Sequence, residues 1–171
     1  MKIWMLVDPE PGFEDMVLNS QVRATTEWVD RVNLPDQLCA SIEVTIEGRQ
    51  GGYWMAREAH GLSLEALIPE SAIDESLQTG SDTHLVGCLE YDRYMSFVYG
   101  DESPITTAKI VALGIVSGEG VGISKSSEFS LAPPEVTVLQ DISPAPGKGV
   151  IYYCAQLELG SATPDRDSAA Q

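Results

Sequence analysis

The second half of the chain consists of strand-length apolar runs separated by turn residues, and this pattern constrains the fold more than any other feature. From residue 84 onward the runs are HLVGCLEY, RYMSFVYG, TAKIVALGIV, EVTVLQDI and VIYYCAQLEL. The segments between them, GDESP, SGEGVG, APP and SPAPGKG, are rich in turn-forming residues. None is long enough to hold the helical crossover that neighbouring parallel strands require. The pattern therefore predicts antiparallel pairing.

The first half contains the clearest hairpin. In ASIEVTIEGRQGGYWMAREA, the apolar residues Ile42, Val44 and Ile46 alternate with polar ones before a glycine-rich turn at 48–52. Such alternation is typical of an antiparallel strand with one buried and one solvated face. The opening KIWMLV is rich in residues that favour a pleated surface, and DPEPG ends it, so we expect a first strand there.

Two segments of the first half favour helices. Residues 13–32 fit both a helical stripe and strand alternation, and their length favours a helix that ends at Asn33-Leu34-Pro35. The segment SLEALIPESAIDESLQTG predicts one or two short helices, with Pro69 in a first turn and Gly80 at a terminus. The expected fold is a β-rich α+β domain whose sheet is mainly antiparallel, sandwich or barrel-like, with one or two short helices in the first half. We expect one globular domain over 1–159 and a flexible C-terminal tail over 160–171.

The charge of the chain limits its partners. Lys and Arg number 10 and Asp and Glu 26, which gives a net charge of −16. A field of this sign repels nucleic-acid phosphates and anionic lipid headgroups and favours basic protein surfaces. We therefore expect a protein partner with a basic surface, and neither direct nucleic-acid binding nor membrane binding.

The cysteines and the N-terminal segment indicate the compartment. Cys39, Cys88 and Cys154 form no C-x-x-C pair, and apolar neighbours surround each, so we expect small buried thiols in a reducing environment. The less favoured alternative is a disulfide between two of them, because the spacing has little in common with a secreted framework. MKIWMLVDPEPG has too short an apolar run for a signal peptide, and no run reaches the length of a membrane span. The expected location is the cytoplasm, or a virus-like assembly formed in it.

The stretch Gly118-Glu119-Gly120-Val121-Gly122-Ile123-Ser124-Lys125-Ser126 resembles a phosphate-binding loop only superficially. Ile123 stands where a P-loop needs its second glycine, and Ser124 stands where it needs its lysine. The same Ile123 replaces the third glycine of the dinucleotide fingerprint. We interpret the stretch as a turn or connection that could contact a partner.

Candidate catalytic and metal-binding residues are few. Glu58 and His60 could form an acid/base pair, and Asp92 and Arg93 could complete a site with them. No G-x-S-x-G elbow and no activated cysteine accompanies them. The carboxylates of DPEPGFED match no calcium loop, and the chain has no zinc-type spacing of His and Cys. We expect no metal and no cofactor.

The aromatic hairpin LEYDRYMSFVYG is the best candidate for a contact surface. Tyr91, Arg93 and Tyr94 belong to residue types enriched at interface hot spots, and Trp54 in the first hairpin carries the same signal. The alternative interpretation is that these aromatic side chains pack the core of the sheet.

Three function classes follow from these observations. The first is a non-enzymatic interaction or structural subunit of a larger cellular or viral assembly, which would be a homo- or hetero-oligomer. The second is an acidic inhibitor that imitates nucleic acid and occupies a basic nucleic-acid-binding protein. The third is an enzyme or small-molecule binder built from Glu58, His60, Asp92 and Arg93, should the fold bring them together. The sequence favours the first class.

Overall fold

The computed structural model describes residues 1–7, 16–30, 34–73, 77–91, 94, 103–117, 135–139 and 150–161. These residues form ten strands and two 3₁₀ turns, Asp36–Leu38 and Glu70–Ala72. The strands are β1 (Lys2–Val7), β2 (Gln21–Ala24), β3 (Thr26–Val29), β4 (Ala40–Gln50), β5 (Tyr53–Glu58), β6 (Glu65–Pro69), β7 (Asp82–Tyr91), β8 (Thr106–Ser117), β9 (Glu135–Leu139) and β10 (Val150–Leu159).

Five of the strands close into a ring. β3, β6, β5 and β4 are successive neighbours, and the two ends of this series, β3 and β4, both pair with β7. The remaining strands extend the sheet from β7 in the order β1, β10, β8. β2 pairs with the N-terminal part of β8 and β9 with its C-terminal part. Among the described strands only the β1–β7 and β3–β6 pairs are parallel, so the predicted β-rich, mainly antiparallel sheet is confirmed.

β7 changes partner in the middle of its length. Its Gly87 pairs with Ala40 of β4, and the next residue, Cys88, pairs with Val29 of β3. A Cβ atom at position 87 would lie 2.6 Å from the carbonyl oxygen of Val29 and 2.7 Å from Nε1 of Trp28. The backbone of β7 therefore approaches β3 closely at this point, and only glycine fits without a shift of its neighbours.

Apolar side chains are buried on both faces of β1. Ile3, Met5 and Val7 enter the main core, whereas Leu6 lies in a second, smaller cluster. That cluster consists of Leu6, Leu38, Cys88, Val116 and Cys154. Leu38 reaches it from the first 3₁₀ turn. Because complete burial of one Leu or Met side chain is worth about 1.5–3 kcal/mol, a central strand buried on both faces contributes strongly to stability.

A buried polar cluster joins the ring to the extended part of the sheet. The hydroxyls of Thr26 and Thr106 both bond to the carbonyl oxygen of Glu65, at 3.0 and 2.7 Å. The Glu65 N–H bonds to Oγ1 of Thr106 at 3.1 Å. Both threonines are 0% exposed. Because unpaired buried hydroxyls are costly, these bonds fix β3, β6 and β8 relative to one another.

The strands predicted at KIWMLV, HLVGCLEY, TAKIVALGIV, EVTVLQDI and VIYYCAQLEL are confirmed as β1, β7, β8, β9 and β10. The predicted hairpin is confirmed as β4 and β5. Its turn is narrower than expected, because Gly48 belongs to β4 and only Gly51 and Gly52 have positive φ. Of the run RYMSFVYG only Tyr94 is described. The predicted tail lies outside the described residues from position 162 onward.

The helix expected over 13–32 is wrong in its described part, which contains β2 and β3. Val22 and Ala24 of β2 and Trp28 of β3 point into the core, so the strand alternation prevails over the helical stripe. Tertiary contacts explain this outcome, because β2 pairs with β8, and β3 pairs with β6 and β7.

The helices expected in SLEALIPESAIDESLQTG are also corrected. Glu65–Pro69 is strand β6, which pairs with β5 in register. Helical structure in the described part of this segment is limited to the 3₁₀ turn Glu70–Ala72. Together with Asp36–Leu38 it supplies the short helical elements of the first half.

The close approach at Gly87 predicts a specific loss of stability. We expect Gly87→Ala to lower the free energy of unfolding by about 1–3 kcal/mol, since the added methyl group overpacks against backbone and indole atoms. Urea unfolding followed by tryptophan fluorescence measures this change. The control is Gly160→Ala, where an added Cβ would meet nothing within 4 Å; its effect should stay within about 0.5 kcal/mol. Equal effects of the two substitutions would contradict the argument.

Candidate functional site

Glu58 closes the turn that follows β5. Its Oε2 accepts hydrogen bonds from the backbone N–H groups of His60 and Leu62, each at 2.9 Å. The residue is only 5% exposed, and Gly61 in the same turn has a φ of 82°. A buried carboxylate that satisfies two backbone donors stabilises its loop, so these bonds give Glu58 a structural role in the turn.

His60 and Glu43 form an exposed pair. Nε2 of His60 lies 3.3 Å from Oε2 of Glu43, and the two side chains are 71% and 49% exposed. Glu43 is also the register partner of His84, whose Nε2 lies 2.8 Å from Oγ of Ser41. Both histidines of the chain therefore flank one glutamate on the solvent face of β4 and β7. Sequence reasoning missed Ser41, Glu43 and His84, because only the β4–β7 register brings them together.

The side chains of Ser41, Glu43, His60 and His84 are of types used in acid/base chemistry, but all four residues are exposed. The Ser41–His84 hydrogen bond is exposed, and Glu43 contacts the other histidine, so among the described residues no carboxylate is paired with the ring that bonds the serine. Exposed polar pairs of this kind are screened by water and contribute little.

Next to the histidines lies a carboxylate-rich surface, here called the acidic face, which consists of Glu43, Glu47, Glu65 and Asp82 around Arg57. Arg57 lies 3.1 Å from Glu47 and 3.3 Å from Glu65, measured between side-chain nitrogen and oxygen atoms. Asp82 accepts a hydrogen bond from Thr45 at 2.6 Å. The sheet places Asp82, Thr45, Arg57 and Glu65 in one row across β7, β4, β5 and β6. The surface thus carries four carboxylates and one guanidinium, which contacts two of them, and it is negative.

A second row of exposed side chains, here called the basic row, carries two lysines with one glutamate between them. Lys2, Glu158, Lys109 and Gln21 are successive register partners across β1, β10, β8 and β2, and all are exposed. Arg23 lies two residues beyond Gln21 on the same side of β2 and is also exposed. Within the described part of the chain, no carboxylate lies at ion-pair distance from Lys2, Lys109 or Arg23.

The remaining described cations belong to ion pairs. Arg57 is paired as above, and Arg49 pairs with Glu70 while its guanidinium lies 5.0 Å from the centre of the Trp54 ring. The hydrogen bond from Arg49 lowers the pKa of the Glu70 carboxyl. The three cations without such a partner are therefore all located on or beside the basic row.

The candidate interface residues differ in exposure. Trp54 is 8% exposed and belongs to the main core, and Tyr91 is partly buried against that core. Tyr94 is 62% exposed. Arg93 and Asp92 lie outside the described residues, as do the glycine-rich stretch 118–126 and most of DPEPGFED. Of the four catalytic candidates, the structure therefore describes Glu58 and His60, which are neighbours in one turn.

Comparisons with protein-family models, with curated proteins and with solved structures give no match for this chain. In the described part, no three His, Cys, Asp or Glu side chains are grouped so that they could hold a metal ion. The described helical segments are too short to cross a bilayer.

The role of Glu58 generates a stability prediction. We expect Glu58→Ala to lower the free energy of unfolding by about 1–3 kcal/mol, because two backbone donors lose their acceptor. Glu58→Gln should cost less, since its amide oxygen can still accept both bonds. His60→Ala, which removes only the exposed contact with Glu43, should change stability by about 0–1 kcal/mol. Urea unfolding of the three variants checks this order, and an equally large loss in His60→Ala would contradict it.

Proposed function

We propose that this protein is a non-enzymatic subunit of a larger protein assembly and that it binds its partners through charge. The observation that carries the proposal is the separation of charge on the described surface. The acidic face lies on β4 to β7. The cations that form no ion pair with a described carboxylate, Lys2, Arg23 and Lys109, lie on β1, β2 and β8, with Glu158 between the two lysines. Exposed charges steer and orient association more than they add to affinity.

The acidic face fits a partner with a basic surface. Glu43 and Glu47 are 49% and 38% exposed; His60 lies beside Glu43, and Arg57 lies beside Glu47. The basic row fits an acidic surface. The simplest partner that carries both is a second copy of this chain, which would meet the first head to tail. A contact between two different patches of identical chains is heterologous and builds rings or filaments rather than closed pairs.

The location that goes with this proposal is the cytoplasm, or an assembly formed in it. The nucleic-acid mimic is the competing hypothesis. A mimic needs a continuous line of carboxylates with little positive charge, whereas Arg57 lies inside the acidic face and contacts two of its four carboxylates. This arrangement favours the assembly hypothesis over the mimic.

Sedimentation velocity of the purified chain tests self-association. We expect oligomers at low salt that weaken as ionic strength rises, because exposed charges are screened beyond about 8 Å at physiological ionic strength. The double variant Lys2→Glu/Lys109→Glu should raise the dissociation constant at least about tenfold, since placing like charges in contact costs several kcal/mol and 1.4 kcal/mol is tenfold. The variant Glu43→Lys/Asp82→Lys should do the same.

A mixture of the two variants provides the sharpest control. Each variant loses self-association, yet the lysines of one match the glutamates of the other, so the mixture should assemble again. A chain that stays monomeric at every salt concentration, and that is also monomeric when gently purified from its source, would refute the assembly proposal. A sole basic nucleic-acid-binding partner that DNA displaces would favour the mimic.

A further inference from the structure

Two of the three cysteines face each other across the β4–β7 ladder. The last paired residues of that ladder are Ala40 and Gly87, so Cys39 and Cys88 occupy the next position in register. Their Sγ atoms lie 3.4 Å apart. Residues opposite each other in an antiparallel pair have Cα atoms about 4.5 or 5.5 Å apart. Disulfides span Cα separations of about 4.4–6.8 Å, so this position is compatible with a bond.

The two thiols differ in accessibility. Cys39 is exposed, whereas Cys88 is buried, with a relative exposure of 0%. A reagent in solution therefore reaches Cys39 first, and Cys88 is held directly behind it. The third cysteine, Cys154, is also 0% exposed, and burial raises the pKa of its thiol to about 12. Because the thiolate is the reactive form, Cys154 serves as an internal unreactive reference.

We propose that Cys39 and Cys88 are a redox-sensitive pair that forms a reversible cross-strand disulfide with a small-molecule disulfide such as oxidised glutathione. The Cys39 thiolate attacks one sulfur of the reagent, the reagent's S–S bond breaks, and one glutathione leaves as a thiolate that takes up a proton. The Cys88 thiolate then attacks the Cys39 sulfur of the mixed disulfide and releases the second glutathione. The protein loses two electrons and two protons, and the reagent is reduced to two thiols.

The position of the pair gives the bond a structural consequence. Cys39 joins the first 3₁₀ turn to β4, and Cys88 is the residue at which β7 passes from β4 to β3. A disulfide here would covalently fix the start of β4 to β7 and close the ring of five strands at its junction. The inference is independent of the assembly proposal, because it uses only the β4–β7 register and the thiol geometry.

Thiol counting by intact mass tests the proposal. The folded, reduced protein is incubated with oxidised glutathione, quenched in acid, denatured and alkylated with iodoacetamide. The number of alkylated cysteines should fall from three to one, with loss of two hydrogen masses and no bound glutathione. Peptide mapping should join Cys39 to Cys88, and dithiothreitol should restore three alkylated cysteines.

Matched variants identify the pair. Cys154→Ser should still lose two thiols, whereas Cys39→Ser, a change at an exposed position, should lose none, with an unchanged circular dichroism spectrum. Glutathione that stays on Cys39, three thiols that survive oxidation, or a bond that includes Cys154 would each overturn the proposal.

Discussion

The fold depends on one strand, β7, which hydrogen-bonds three others. Its N-terminal part pairs with β4, and its C-terminal part pairs with both β1 and β3. The ring and the extended part of the sheet therefore share this strand and cannot be built independently. Gly87 permits the change of partner, because any side chain there would meet the carbonyl of Val29. The core depends on this shared strand, because β1 is buried on both faces only when its pairing with β7 keeps it beside the ring.

Register links the interior to the surface. Ile42, Val44 and Ile46 point into the core, so Glu43 and Thr45 must point to solvent on the same strand. Pairing with β7 and β5 then places Asp82 and Arg57 beside Thr45. The acidic face is therefore the solvent side of strands whose other side forms the hydrophobic core. The basic row arises in the same way, because strand register places the exposed residues Lys2, Glu158, Lys109 and Gln21 side by side across β1, β10, β8 and β2.

The parts of the structure that the sequence predicts are those that local pattern determines. Ile42 to Ile46 alternate clearly, and the glycines after them define a hairpin, so β4 and β5 could be predicted. Residues 16–30 fit helix and strand equally well. The choice of strand depends on pairing of Val22 with β8 and of Trp28 with β7, and these partner residues are about 60 to 90 positions away in sequence. The candidate site shows the same limit. Glu58 and His60 are neighbours in sequence, but the contacts of His60 with Glu43 and of His84 with Ser41 require a register that no local pattern contains.

Bulges show how closely surface and core are coupled. Between the Ile46–Ala56 and Gly48–Met55 pairs, β4 has one extra residue, Glu47, whose carboxylate contacts Arg57. In β8, Val111 is extra, between the pairs that Ile110 and Ala112 form with β10. Because side chains alternate with a period of two, one extra residue exchanges the faces of everything beyond it. The bulge in β8 lets Lys109 face solvent while both Ile110 and Leu113 enter the core. Without this bulge, Lys109 and Leu113 would lie on the same face of β8, so either the lysine would be buried or the leucine would be exposed. The charged surface and the stability of the fold therefore depend on the same backbone irregularity.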